Sequence, residues 1–183
     1  MVALKILLHI CCGPCAIYPV KYLRDAGHEV TGLFFNPNIH PYSEYRKRRD
    51  TLYDYAAHTG LALLGCDDYP MEEFIRNVAF REGERCRYCY SARLTYAARV
   101  AREEQFGAFT STVLYSRFQN HDLIRDMGNG IAHAEGVEFF YHDFREGWKE
   151  GVETSKKSGM YRQQYCGCIY SEKERFLEKP PSC

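Results

Sequence analysis

The apolar positions of the chain alternate between two periods. Leu4 to Ile10 is a short, apolar, β-rich run ending at Cys11, the pattern of a buried strand. Gly13-Pro14 breaks it, and Pro14 suits the first turn of a helix. Ala16, Val20 and Leu23 then recur at helical spacing as far as Gly27. Val30 to Phe35 reads as a second strand, closed by Asn36-Pro37-Asn38. A strand, a helix and a strand within about thirty residues make a right-handed βαβ crossover and hence a parallel sheet. The remainder continues in kind. The pattern predicts a charged helix from Ser43 to Thr59 and a short strand from Leu61 to Leu64. Met71, Phe74, Ile75 and Val78 form an amphipathic stripe. Tyr90, Leu94, Ala97, Ala98 and Ala101 form another, on a helix running to about Gln105. Ala108 to Leu114 reads as a strand, residues 120–135 as a helix, Val137 to Tyr141 as a strand, and the rest as helix with loops. The expected class is α/β: one domain over residues 1–183, about five parallel strands and a helical C-terminal segment. Ligands of such sheets bind beyond the carboxyl ends of the strands, and Cys11 to Cys15 lie there.

Composition narrows the function. Of 183 residues, 45% are hydrophobic and 26% charged, values of a globular protein that exclude a disordered tail or a rod. Lys plus Arg equals Asp plus Glu at 24 each, which argues against an electropositive wrapper of nucleic acid but permits a local basic patch. No segment approaches the roughly 18–20 apolar residues of a membrane span, and the N-terminus enters a strand-like run without a signal-peptide layout. No membrane partner is expected, and the expected compartment is the reducing cytoplasm.

Nine cysteines stand out. They fall as Cys11-Cys12-x-x-Cys15, Cys86-x-x-Cys89 and Cys166-x-Cys168, with Cys66 and Cys183 isolated. Near-adjacent cysteines rarely make structural disulfides because the bridge is strained, and clustered cysteines in a reducing compartment more often bind metal or do redox chemistry. Thiols at a strand-to-helix turn are acidified by the helix N-terminus; the bland alternative is packing as small hydrophobes. Cys86 and Cys89 open a helix between Arg85 and Arg87, and this spacing suits zinc, iron–sulfur or a redox pair. Gly167 permits a tight turn that lets Cys166 and Cys168 meet in a strained, easily reduced disulfide, although both also suit metal ligation. Cys66 and Cys183 read as bystanders.

Polar residues at the same sheet edge are candidates for substrate binding: Asn36, Asn38 and His40 after the second strand, and Ser116, Gln119 and Asn120 after the fourth. His142 and Asp143 follow the fifth, and Asp143 is the first candidate proton donor. His9, inside an apolar strand, reads as a satisfied core histidine. Arg46-Lys47-Arg48-Arg49 lies on a helix, so its charges are expected to spread round the surface, either solvated or in contact with phosphate.

Five runs taken together resemble a known family: Cys-Cys-Gly-Pro-Cys-Ala at 11–16, Cys-Arg-Tyr-Cys at 86–89, Ser-Arg-Phe-Gln-Asn-His at 116–121, Asp-Phe-Arg-Glu-Gly-Trp at 143–148, and Gly-Met-Tyr-Arg-Gln-Gln-Tyr-Cys-Gly-Cys at 159–168. They are similar to the cobalamin-independent epoxyqueuosine reductases. That resemblance implies a Rossmann-like, nucleotide-hydrolase-like fold and the last step of queuosine synthesis: reduction of epoxyqueuosine at the wobble position of a tRNA anticodon loop. It implies a [4Fe-4S] cluster on Cys11, Cys12, Cys86 and Cys89, a redox-active pair in Cys166 and Cys168, and an external electron donor. Cys15, with that pair, leaves room for a second metal ion such as iron. Spacing alone does not choose iron–sulfur over zinc. Two other classes follow from the residues: a zinc-stapled binding module without catalysis, and an ATP-using tRNA thiolation or adenylation enzyme. The second needs a Gly- and Ser-rich phosphate loop where this chain has thiols. The tyrosines, 15 in number, offer stacking platforms for an unpaired base.

Overall fold

A computed structural model describes residues 3–65 and 68–177. Its elements alternate: β1 (Lys5–His9), α1 (Gly13–Asp25), β2 (Glu29–Phe34), α2 (Tyr42–Thr59), β3 (Ala62–Gly65), α3 (Met71–Val78), α4 (Arg85–Glu103), β4 (Ala108–Ser111), α5 (His121–Glu135), β5 (Glu138–Phe139), α6 (Trp148–Lys157) and α7 (Ile169–Phe176). The five strands form one parallel sheet in the order β3-β2-β1-β4-β5. The order reverses between β1 and β4, so the crevice beyond their carboxyl ends is the natural ligand site of the fold.

The apolar runs that announce the strands are the centre of the core. Ile6, Leu7 and Leu8 of β1 and Phe109 of β4 are fully buried, and Leu94, Ala97, Ala98 and Ala101 of α4 pack in the same cluster. Strands buried on both faces read as continuous apolar runs, which is why β1 shows no alternation. His9 ends that run and is satisfied in the core. One ring nitrogen lies 2.8 Å from Ser111 Oγ and the other 2.9 Å from the Phe35 carbonyl. It thus ties the ends of β1, β2 and β4 together. Burial, then the nearby Arg93 cation, lowers its pKa to about 4, so the ring is neutral.

Two expected strands are shorter than their apolar runs. The run from Ala108 to Leu114 is extended only to Ser111, after which Thr112–Tyr115 turns into a 3-10 helix. The Ser111 side chain accepts from the Val113 N–H at 3.3 Å and caps that turn, so the backbone bonds locally instead of lengthening the ladder. Val137 to Tyr141 contributes only Glu138–Phe139, an edge strand paired on one side. Val113, Leu114 and Tyr115 beyond β4 are buried by tertiary packing, which hydrophobicity alone does not distinguish from strand. Cys66 and Cys183 lie outside the described residues.

Two glycines of α5 give opposite expectations. A Cβ on Gly128 would lie 2.3 Å from the Phe139 ring, whereas one on Gly130 would meet nothing within 4 Å. Alanine gains about 1 kcal/mol over glycine in a helix, while overpacking costs about 1–3 kcal/mol. Gly130→Ala should therefore stabilise the protein by about 0.5–1 kcal/mol and Gly128→Ala should destabilise it. Urea unfolding of the two variants checks this, and the reverse order would contradict the packing described here.

Candidate active site

The strand-to-helix turn after β1 sets the thiols. Cys11 follows the strand, Cys12 caps α1 with extended backbone (φ −171°, ψ 162°), and Cys15 sits in the first helical turn. The three sulfurs lie within 4.8 Å of one another, with Cys11 and Cys12 Sγ 3.9 Å apart. Cys12 and Cys15 are buried and Cys11 half-buried. A tetrahedral metal with metal–sulfur bonds of ~2.3 Å places its ligand sulfurs about 3.8 Å apart. The three thiols thus already have the spacing of one metal ion's ligands.

Neighbouring elements fix the group. The Cys11 N–H donates to Thr112 Oγ1 at 3.1 Å, which joins the two strands flanking the switch point. Gln163 brackets the other side: its amide oxygen is 3.3 Å from Cys12 Sγ, and its amide nitrogen donates to Cys15 Sγ at 3.4 Å. Hydrogen bonds from Cys12 and Cys15 lower the Cys11 pKa well below the usual thiol range, while those same bonds and burial keep Cys15 high. Burial and the Cys11 charge hold Cys12 high as well.

Cys11 and Cys15 of the triad line a cavity of about 650 Å³ whose walls also include Cys166, Arg93, Thr112, Gln119 and Gln163. Cys166 is exposed to it and accepts from Gln119 Nε2 at 3.3 Å. Gln119 is fixed in turn by the Tyr90 hydroxyl, which donates to its Oε1 at 2.7 Å. Cys168 is buried with Cys89, Phe74 and Val78 in a small second core. Cys86, at the start of α4, is exposed. Burial first, and then the charges of Cys166 and Cys168, raise Cys89 to about 12. The seven described cysteines are all free thiols.

Two buried arginines stand behind the thiols. Arg93 is 4% exposed, and its Nε donates to the Cys89 carbonyl at 3.1 Å. It pairs with no carboxylate among the described residues. Burial opposes its charge, but Cys89, Cys166 and Cys11 more than offset that and raise its pKa. A buried cation without a carboxylate calls for another anion, and its nearest candidates are the sulfurs of Cys89, Cys166 and Cys11, one from each motif. Arg48 is 1% exposed, which corrects the expectation that the basic run of α2 spreads over the surface. Its Nε donates to Glu44 Oε1 at 2.7 Å, and its two terminal nitrogens donate to the Cys166 and Tyr165 carbonyls at 2.8 and 3.0 Å. Glu44 also accepts from the Tyr161 hydroxyl.

The polar candidates divide. Ser116 and Gln119 line the cavity. Asn120 caps α5 and accepts from the Leu123 N–H at 3.1 Å. Asn36, Asn38 and His40 are buried, and Asn38 and His40 lie against residues 165–169. Asn36 Nδ2 donates to the Ile10 carbonyl at 2.9 Å, and the His40 N–H donates to the Gly167 carbonyl at 2.8 Å. Gly167 lies at φ +152°, and a Cβ there would come 3.1 Å from Asn38 Nδ2, so the position needs glycine for both conformation and space. Asp143 is the exception. Arg145 grips it in two bonds of 2.8 and 2.6 Å and lowers its pKa to about 2, and it lies outside the lining of the thiol cavity. A carboxylate so held accepts protons poorly and has none to donate near neutrality.

An α/β sheet whose switch point carries a preformed thiol triad, faced by further thiols and buried cations, defines a metal-dependent redox site. Comparison with known proteins then gives the family. The model of the epoxyqueuosine reductase QueH family matches residues 6–174, and the chain belongs to that family. It is 37% identical over 172 residues to the epoxyqueuosine reductase QueH of Dehalococcoides mccartyi, covering 94% of each chain. It is also 37% identical to that of Thermotoga maritima, covering 93% of this chain and 91% of the relative. Among solved structures, a predicted subunit of tRNA methyltransferase from Methanocaldococcus jannaschii shares the fold, with a TM-score of 0.54 at 11% identity over 82% of this chain and 74% of that one. No described helix is long and apolar enough to cross a membrane.

The Arg48–Glu44 pair yields a prediction. Removing one partner of a buried ion pair costs about 3–5 kcal/mol. Arg48→Met should lose about that much stability in urea unfolding, and it should make the Cys166 thiol react faster with a bulky alkylating agent in the native protein. Unchanged stability and reactivity would show that Arg48 does not hold the segment.

Proposed function

We propose that this protein reduces epoxyqueuosine to queuosine in tRNA, using electrons delivered to its thiol-lined cavity by an external donor. Membership of the family supports the reaction class, and the observation that carries the site is the triad of Cys11, Cys12 and Cys15 at the switch point of the sheet. The reading of the chain as a colourless zinc staple or a nucleotide-dependent thiolation enzyme has no such support.

The reaction removes an oxygen. Both C–O bonds of the epoxide break, a C=C bond forms, and the oxygen leaves as water, which requires two electrons and two protons. A dithiol meets that demand: Cys166 and Cys168 give up two hydrogen atoms and join through an S–S bond, and the external donor returns two electrons and two protons to reopen it. Gly167 supplies the turn, and Gln119 Nε2, 3.3 Å from Cys166 Sγ, orients the exposed thiol. Gln163 and Thr112 hold the triad while substrate enters.

The donor chemistry suits an iron–sulfur centre, while the sulfurs grouped within 4.8 Å among the described residues are those of Cys11, Cys12 and Cys15. Thiols of two motifs, Cys11 and Cys89, act on the same buried cation, Arg93, and Arg93 and Arg48 offset the negative charge that thiolate ligands bring. We assign Cys11, Cys12, Cys86 and Cys89 as ligands of a [4Fe-4S] cluster, which when bound supplies single-electron transfer. A second reading is favoured by the spacing of the triad: Cys11, Cys12 and Cys15 hold one metal ion, and Cys86, Cys89, Cys166 and Cys168 hold the other centre.

One set of anaerobic preparations separates these readings through iron, sulfide and the nucleosides of treated tRNA. The wild-type protein should carry about four iron and four sulfide per chain and convert epoxyqueuosine to queuosine; stoichiometric zinc without sulfide would contradict the assignment. Cys86→Ala and Cys89→Ala should lose the cluster, while Cys66→Ser and Cys183→Ser should keep it.

Cys166→Ser, Cys168→Ser and Gly167→Val should retain the iron and lose turnover. Loss of iron in step with activity in the two serine variants would make Cys166 and Cys168 ligands and establish the second reading.

A further inference from the structure

The cavity has a rim that the reduction chemistry does not use. Phe118 is 84% exposed, yet its backbone is pinned on both sides. Its N–H donates to Ser116 Oγ at 3.3 Å, and the next residue, Gln119, is tied to Tyr90 and Cys166. The ring meets Trp148 in a T-shaped contact, with centroids 5.9 Å apart and an interplanar angle of 80°, and most of its surface stays open to solvent. Arg117 stacks on the same Trp148, 5.7 Å from the ring centroid. Phe118, Trp148 and Arg162 line the mouth of the cavity that holds Cys11 and Cys15.

Charge singles out two of these groups. Nearby carboxylates are already engaged: Asp143 by Arg145, Glu146 by Tyr18, and Glu150 by Lys21. Arg117 and Arg162 pair with no carboxylate among the described residues. On a chain of zero net charge this is a local positive excess beside an exposed aromatic face. An aromatic face with free guanidinium groups beside it is the chemistry that holds single-stranded RNA, since every base has a π face and every nucleotide a phosphate.

We propose that Phe118 stacks on a base next to the modified nucleotide in the anticodon loop, while Arg117 and Arg162 hold the flanking phosphates, so that the rim delivers the modified base to the thiols. This rests on the activity proposed above. The arrangement reassigns the stacking role from the tyrosines to a phenylalanine, and it gives Ser116 and Gln119 the work of presenting that ring.

The test uses iron-loaded protein and an end-labelled anticodon stem-loop carrying epoxyqueuosine, with affinity read by fluorescence anisotropy and product by nucleoside analysis. Stacking on one aromatic accounts for about a 5- to 150-fold change in affinity. Phe118→Ala should weaken binding within that range without loss of iron, and Phe118→Trp should restore it. Phe80→Ala, at a residue 98% exposed and absent from the cavity lining, should bind like wild type. Arg117→Gln and Arg162→Gln should each reduce the slope of log Kd against log salt by about 0.7. Wild-type affinity in Phe118→Ala, with wild-type turnover intact, overturns the rim and spares the activity. Wild-type RNA affinity in Phe118→Ala combined with slower reduction by a protein electron donor also overturns it, and gives the face to the donor. Iron-loaded wild type that binds the stem-loop but makes no queuosine instead overturns the activity.

Discussion

A single guanidinium group holds the chemistry of this molecule together. Arg48 is buried in α2, is neutralised by Glu44, and donates to the carbonyls of Tyr165 and Cys166. These residues are 117 and 118 positions away along the chain. The loop carrying Cys166, Gly167 and Cys168 has no ladder to join, so its carbonyls need donors from elsewhere. Arg48 provides two, and the His40 N–H provides one more to Gly167. A planar, permanently charged fork suits this task better than a lysine, which presents a point charge on a flexible stem. With the loop fixed, Gln163 reaches the triad and Cys166 faces the cavity.

The sheet explains why the triad lies where it does. Parallel strands leave their carboxyl ends together at one edge, and the reversal of strand order between β1 and β4 opens a crevice there. His9 and Thr112 bind the two sides of that crevice, one through Ser111 and Phe35, the other through the Cys11 N–H. The turn after β1 is thus anchored through the Cys11 N–H, and the three sulfurs are held together beside Gln163. Arg93, rising from α4 behind them, supplies positive charge where thiolates collect.

Much of this was legible in the sequence. Strong local patterns sufficed for β1, α1, β2 and α2, for the stripe of α3, and for the α/β class, because short-range periodicity determines them. The cysteine motifs announced the site because thiols so closely spaced have few structural uses. The features that escaped depend on contacts distant in sequence. Arg48 lies in a run of four basic residues, and nothing local distinguishes it from its neighbours until Glu44 and the 165–166 carbonyls surround it. Gln163 was visible only as part of a longer run, and Arg93 sits on an otherwise ordinary amphipathic helix. Cys15 joins Cys11 and Cys12 because the first turn of α1 folds back over the strand end. Asp143 looked like a proton donor from its place after the fifth strand, but Arg145, two residues on, keeps it ionised.

In the proposed reaction, electrons held at this thiol-lined site remove the oxygen of epoxyqueuosine. The most direct measurement is a single-turnover titration: anaerobic, chemically reduced protein, free of excess reductant, is mixed with excess epoxyqueuosine stem-loop, and the queuosine formed is counted against the electrons the protein has lost. One queuosine should form for every two electrons lost. Oxidation of the iron-loaded protein with no queuosine formed would contradict it.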